Sequence, residues 1–146
     1  MSARRRHVVE HRVFLDANIL FSAAYRPDSA LSRLWRLGAS VALLTSLYAI
    51  DEARRNLGDV RARDRLDALV SALQIVPDIL DGRMPAGVNL PSHDRPILLS
   101  AIAAHATHLL TGDRAHFGTW FNRTVDGVLI QRPSEYLKGI SQGVRP

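Results

Sequence analysis

The stretch Val13-Phe14-Leu15-Asp16-Ala17-Asn18-Ile19-Leu20 decides the fold: it is an apolar run with one carboxylate and one amide set into it. A continuous run of β-formers reads as a strand buried on both faces, and a charge is tolerated in such a strand only where it ends. The reading places a strand at about 13–16, with Asp16 at its C-terminal tip and Asn18 just beyond. In open α/β sheets that edge is where sites are built, because the loops leaving the strand tips surround a crevice. Taken alone, Asp16 serves equally well as a cap for the turn that follows.

The pattern on either side supplies the remaining elements. Arg26-Pro27-Asp28-Ser29 is a turn, and Ser29 is placed to cap a helix whose apolar positions are Leu31, Leu34, Trp35 and Leu37, ended by Gly38. Val41-Ala42-Leu43-Leu44 reads as a second buried strand. Thr45 or Ser46 caps a helix at about 47–57, closed by Gly58. Asp59 starts another helix, in which Leu66, Leu69, Val70 and Leu73 form one stripe. Gln74-Ile75-Val76 is a short third strand, and the Pro- and Gly-punctuated stretch 78–93 is a loop whose length suits a mobile flap. Asp94-Arg95-Pro96 opens a helix running to about 106, and Thr107-His108-Leu109-Leu110-Thr111 is a fourth strand. A short amphipathic segment at 117–121, a last strand at Val128-Leu129-Ile130 and a terminal helix at 133–138 complete the chain.

Strands that alternate with helices pair in parallel, since each needs a long crossover to the next. The expected architecture is a three-layer α/β/α sandwich with a parallel sheet of about five strands. It would consist of a basic N-terminal arm at 1–12 carrying Arg4, Arg5 and Arg6, a single domain at 13–140, and a tail at 141–146.

A chain of 146 residues is long enough to bury a core without staples. Cysteine is absent, which excludes thiolate nucleophiles, disulfides and Cys-based zinc sites, and permits a cytoplasmic location. The longest apolar runs fall short of a membrane span, and the basic start leads into no signal-peptide core, so a soluble protein with no membrane partner is expected. The formal charge is +5, and Lys138 is the only lysine, so arginine supplies nearly all the positive charge. Guanidinium groups bind phosphates bidentately, which favours a nucleic-acid partner; a biased genome gives the same composition.

The functional reading rests on four acids: Asp16 after strand one, Glu52 in the helix after strand two, Asp94 opening the helix after strand three, and Asp113 after strand four. In a parallel sheet these tips share one edge, so the four carboxylates converge and need compensation. A divalent cation supplies it, and oxygen ligands without cysteine select magnesium or manganese. Such an ion acidifies a bound water and neutralises charge on an attacked phosphate. Asn18 and Thr111 are placed to orient the ligands. Arg95 and Arg114 are the rim arginines best placed to hold an anionic strand. Periodicity does not choose between the neighbours Asp51 and Glu52 as the second acid. His93 and His116 flank acidic positions and are substrate-contact candidates, His105 and His108 read as packed or partly buried, and Trp35 and Trp120 read as core or dimer contacts.

The four motifs are Val13-Phe14-Leu15-Asp16-Ala17-Asn18-Ile19-Leu20, Ser46 with Glu52-Ala53-Arg54-Arg55-Asn56-Leu57, His93-Asp94-Arg95-Pro96-Ile97-Leu98, and Leu109-Leu110-Thr111-Gly112-Asp113. Together they resemble the PIN-domain ribonuclease family, in the VapC-like branch that supplies the toxin of toxin–antitoxin pairs. The resemblance covers nearly the whole chain and favours Glu52 over Asp51. It implies a metal-dependent endoribonuclease, usually dimeric, that leaves a 5′-phosphate and is silenced by an antitoxin partner.

Other readings compete with this one. A metal-independent ribonuclease would use histidines, but the six present form no obvious pair at a common edge. A phosphoryl-accepting receiver domain wants a lysine near its acids, and Lys138 lies in the terminal helix. A dehalogenase-like phosphatase needs an aspartate at position 18, where this chain has asparagine. A catalytically silent RNA- or partner-binding module on a nuclease fold is opposed by the presence of all four carboxylates.

Overall fold

The computed structural model describes residues 8–141. Of the expected arm, residues 1–7, and of the expected tail, residues 142–146, lie outside the described residues. The first strand, β1 (His11–Leu15), begins within the segment expected as an arm. Val13, Phe14 and Leu15 are all fully buried. Successive strand residues point to opposite faces, so both faces of the sheet are covered and the three-layer architecture holds.

The apolar run does not stay extended past Asp16. The Asp16 carboxylate accepts the Ala17 N–H at 2.6 Å and starts helix α1 (Ala17–Tyr25), an element the sequence reading left out. Ala17, Leu20, Ala23 and Ala24 are strong helix formers, and Pro27 stops the helix soon after its last residue. The helix expected after Ser29 is instead a 3-10 helix, Ala30–Arg36, and Ser29 makes no side-chain cap bond. Its apolar Leu31, Leu34 and Leu37 recur every third residue, which matches the three-residue turn of that conformation.

The remaining elements are β2 (Val41–Thr45), α2 (Leu47–Asn56), α3 (Val60–Val70), β3 (Gln74–Ile75), α4 (Arg95–Ala103), β4 (His108–Leu110), α5 (Arg114–Phe117), β5 (Arg123–Val125), β6 (Val128–Gln131) and α6 (Pro133–Ser141). Helix α4 stops short of 106, where His105 takes a left-handed φ of 56° and is exposed rather than packed. The sheet has six strands in the order β3-β2-β1-β4-β6-β5. Five pair in parallel, as expected, and β5 adds a sixth strand that runs antiparallel to β6. The β5–β6 connection is Asp126-Gly127 with φ of 46° and 85°, the positive pair that a two-residue hairpin turn requires.

This order fixes where a site can form. From β1 the chain moves outward to β2 and β3, then returns through α4 to place β4 on the other side of β1. The β1–β4 boundary is therefore the topological switch point, and the crevice opens beyond the C-terminal ends of those two strands. The stretch between β3 and α4, expected as a mobile flap, is tied down. Asp78 accepts the Tyr48 N–H, Ile79 N–H donates to Ser100 Oγ, Leu90 is buried, and the Tyr48 hydroxyl donates to the His93 carbonyl at 2.7 Å. Those bonds fix the approach to Asp94.

Candidate metal centre

At the tip of β1, Asp16 is only 3% exposed. While Oδ1 caps α1, Oδ2 accepts from Asn18 Nδ2 at 3.0 Å and from the Thr111 hydroxyl at 2.8 Å. Thr111 stands one residue past β4 and is fully buried. Its oxygen also accepts from Asn18 Nδ2 at 3.1 Å and from the Asp113 N–H at 3.1 Å, and Asn18 Oδ1 accepts the Gly112 N–H at 2.9 Å. Since the Asn18 amide nitrogen meets acceptors and its oxygen meets a donor, these partners set its orientation. The network stitches the end of β1 to the end of β4 through the hydrogen bonds of Asn18 and Thr111.

Asp94 sits at the start of α4, 7% exposed, and makes no cap bond, so its carboxylate is free for another role. Asp113 caps α5 through Oδ1, which accepts the His116 N–H at 3.1 Å. Between them stands His116, whose Nδ1 lies 2.7 Å from Asp94 Oδ2 and 2.8 Å from Asp113 Oδ2. His93 Nε2 is 3.4 Å from the same Asp94 oxygen. These distances are short enough for strong charge interaction, yet Asp94 Oδ2 and His116 Nδ1, both shielded from solvent, have no aligned hydrogen-bond partner. The two imidazoles meet edge to face at 5.2 Å. A histidine pair at the common edge is thus present, contrary to the sequence expectation.

Asp16, Glu52, Asp94 and Asp113 all border one open cleft of about 570 Å³, together with Asn18 and His93. Glu52 reaches it from α2, a helix capped by Ser46 Oγ. The neighbouring Asp51 is exposed and does not border it. Arg95 and Arg114 are exposed and also stand outside its lining; Arg95 Nε donates to the Leu90 carbonyl. Trp35 donates its indole N–H to the Leu69 carbonyl and packs against the core, as does Trp120. Far along the sheet, His11 Nδ1 lies 2.7 Å from the Tyr136 hydroxyl and His108 stacks beside both, so these rings form a packed cluster apart from the cleft.

The electrostatics follow from burial. Loss of solvent pushes the Asp16 carboxyl up to about 6 against the pull of Thr111 and the Ala17 N–H, and the nearby Asp94 and Glu52 charges push the same way. Asp94 is raised chiefly by burial and by Asp113, while His93 and His116 draw it down. Negative charge is therefore concentrated beyond what the surrounding donors offset. The carboxylates gathered at the cleft, with the imidazoles beside Asp94, are a donor set that fits a divalent cation.

The sequence reading named His93 and His116 as neighbours of acids and as substrate-contact candidates, but not as a pair. The signal was His116 three residues after the capping Asp113, but its position between two carboxylates depends on how α5 is set against α4.

No family model and no curated protein matches the sequence. Solved structures do match. One is VapBC2 from Rickettsia felis bound to a DNA fragment from their promoter, at 19% identity and a TM-score of 0.60, covering 83% of this chain and 98% of that one. Another is PAE2754 from Pyrobaculum aerophilum, at 18% identity and a TM-score of 0.55, covering 94% of each chain. The PIN domain endonuclease Utp24 overlaps more loosely, at 18% identity and a TM-score of 0.48 over 75% of this chain and 76% of that one. Likeness at this level of identity speaks to the fold.

Proposed function

We propose that this chain, PIN-like in fold, is a metal-dependent endoribonuclease that hydrolyses RNA phosphodiester bonds. The observation that carries the reading is the convergence of Asp16, Glu52, Asp94 and Asp113, from four separate elements, on one cleft at the switch point of the sheet. Capping or turn formation accounts for Asp16 and Asp113 individually, but not for Asp94, which caps nothing. A bound Mg²⁺ or Mn²⁺ would offset charge on the attacked phosphate and lower the pKa of a coordinated water.

In this reading Asp16, Glu52, Asp94 and Asp113 are both the metal ligands and the catalytic groups. Thr111 and Asn18 hold Asp16 in one orientation, and its burial excludes competing water. Arg95 and Arg114 steer the RNA strand from outside the cleft, supported by a formal charge of +5. The motif resemblance further points to a toxin held by a protein antitoxin, a homodimer, and a cytoplasmic setting. No helix among the described residues is long and apolar enough to cross a membrane.

The His93–His116 pair favours a second reading, in which imidazoles transfer protons and the RNA 2′-hydroxyl is the nucleophile. Chelation separates the two. Cleavage that stops in excess EDTA, returns with Mg²⁺ or Mn²⁺ and leaves 5′-phosphate ends is the expected result. Cleavage that survives EDTA and leaves cyclic phosphates establishes the histidine mechanism, and RNA binding without cleavage under any ion establishes a silent binding module.

The choice between the neighbouring acids has its own test. Glu52→Gln is expected to weaken Mn²⁺ binding by about tenfold or more, and Asp51→Asn by less than about twofold, in titration calorimetry. Equal loss in both variants removes Glu52 from the ligand set.

A further inference from the structure

We propose that His93, Asp94 and His116 form a mixed nitrogen–oxygen metal site that takes a transition-metal ion in preference to Mg²⁺, beside the all-oxygen acids Asp16 and Glu52. The assignment deepens the reading of the cleft as a cation centre and rests on it. Three candidate ligand atoms, one from each residue, lie within 4.8 Å of one another. The measured separations, 2.7 Å from His116 Nδ1 and 3.4 Å from His93 Nε2 to Asp94 Oδ2, have a direct meaning. Ligands about 2.1 Å from one metal ion lie about 3.0 Å apart at right angles and about 3.4 Å apart at tetrahedral angles. The Asp94–His93 separation matches such a spacing, and the shorter Asp94–His116 contact has the length of an ion pair that a bound ion would open.

Two further observations point to a ligand. Asp94 is more than nine-tenths buried, faces the cleft, and keeps Oδ2 without an aligned partner. His116 turns Nδ1 away from solvent, toward Asp94 and Asp113, although its ring is partly exposed. Asp113, with Oδ2 2.8 Å from His116 Nδ1, holds the ring in place from the other side.

Ligand chemistry then selects the ion. Two imidazoles and one carboxylate suit Mn²⁺, Co²⁺ and Zn²⁺ in rising order, whereas Mg²⁺ binds oxygen and disfavours nitrogen. Three protein donors leave coordination positions open, and the cleft gives access to them, because the His93 side chain is 56% exposed.

The test uses the full chain stripped by chelator, titrated separately with Zn²⁺ and Mg²⁺, with Co²⁺ absorption as a spectroscopic readout. Wild type is expected to bind Zn²⁺ at least about 100-fold more tightly than Mg²⁺. His116→Ala and His93→Ala are each expected to lower Zn²⁺ affinity by about tenfold or more, to alter Mg²⁺ affinity by less than about twofold, and to change the Co²⁺ visible bands. His93 is exposed enough that its variant keeps the fold, and melting curves check both variants. Zn²⁺ affinity within about threefold of Mg²⁺, or histidine variants that leave Zn²⁺ binding and the Co²⁺ spectrum unchanged, overturns the assignment. Such a failure alongside intact Mg²⁺-dependent RNA cleavage sinks only this inference. Zn²⁺ binding without RNA cleavage upholds it and sinks the nuclease reading.

Discussion

Asp94→Asn protein is expected to cleave RNA at least about 100-fold more slowly than wild type under saturating Mn²⁺, while its unfolding free energy without divalent ions shifts by less than about 1 kcal/mol. The two halves of this expectation have separate causes. Asp94 makes no cap bond to α4, so the amide forfeits no helix-terminal hydrogen bond. Its charge is held against the cost of burial and against Asp113, so neutralising it relieves a cost in the ion-free protein. Loss of the anionic oxygen, by contrast, removes one of the ligand atoms on which the proposed metal site depends. Cleavage assays and denaturant titration on the same preparation read both quantities. Wild-type rates in the variant would return Asp94 to the role of an ordinary helix-start residue.

Asp16→Asn tests a different property, the dependence of stability on pH. The Asp16 carboxyl has its folded-state pKa raised from 3.8 to about 6. A raised group favours the folded state most while it is protonated, below about pH 4, and that contribution is lost as pH rises through 6. For a shift of this size the loss is roughly 3 kcal/mol. His108 works in the opposite sense, because burial and His11 lower its pKa from 6.5 to about 4. Its contribution is present above pH 6.5 and lost as pH falls toward 4, and the two slopes overlap and mask each other in wild type. Removing the Asp16 titration unmasks the histidine. In chelated buffer, the stability of Asp16→Asn relative to wild type should improve by roughly 2.4 kcal/mol between pH 4 and pH 7. Saturating divalent ion should reverse that gain, since it binds the ionised carboxylate of wild type. A relative stability that stays flat across the range would place the Asp16 pKa near its ordinary value.

The parallel pairing of the central strands, and the placing of candidate acids beyond their tips, could be read from the sequence because both follow from local rules. Buried runs at 13–16 and 41–44 are apolar without alternation, and Asp16, which closes the first, must lie at a strand tip, while Glu52 follows the second only after a helix has begun. Helix α1 was hidden by the same logic. Asn18, Ile19, Leu20 and Phe21 continue the apolar run, and a short buried stretch has no periodicity to tell helix from strand. Strand β5 was missed because Arg123 and Thr124 are exposed and carry no buried pattern, although the Asp126-Gly127 turn announced a hairpin. Asp16 and Asp113 cap helices and also border the shared cleft, so capping does not exclude the proposed role. What local rules could not supply is the place of His116, which depends on packing between helices distant in sequence.

The sheet ends in β3, two residues long, on one side and in β5, three residues long and turned back by its hairpin, on the other. Neither margin offers enough unpaired main chain to template a visiting strand. Extension of the ladder by another polypeptide, the usual route to cross-chain aggregation, is thereby closed at both borders.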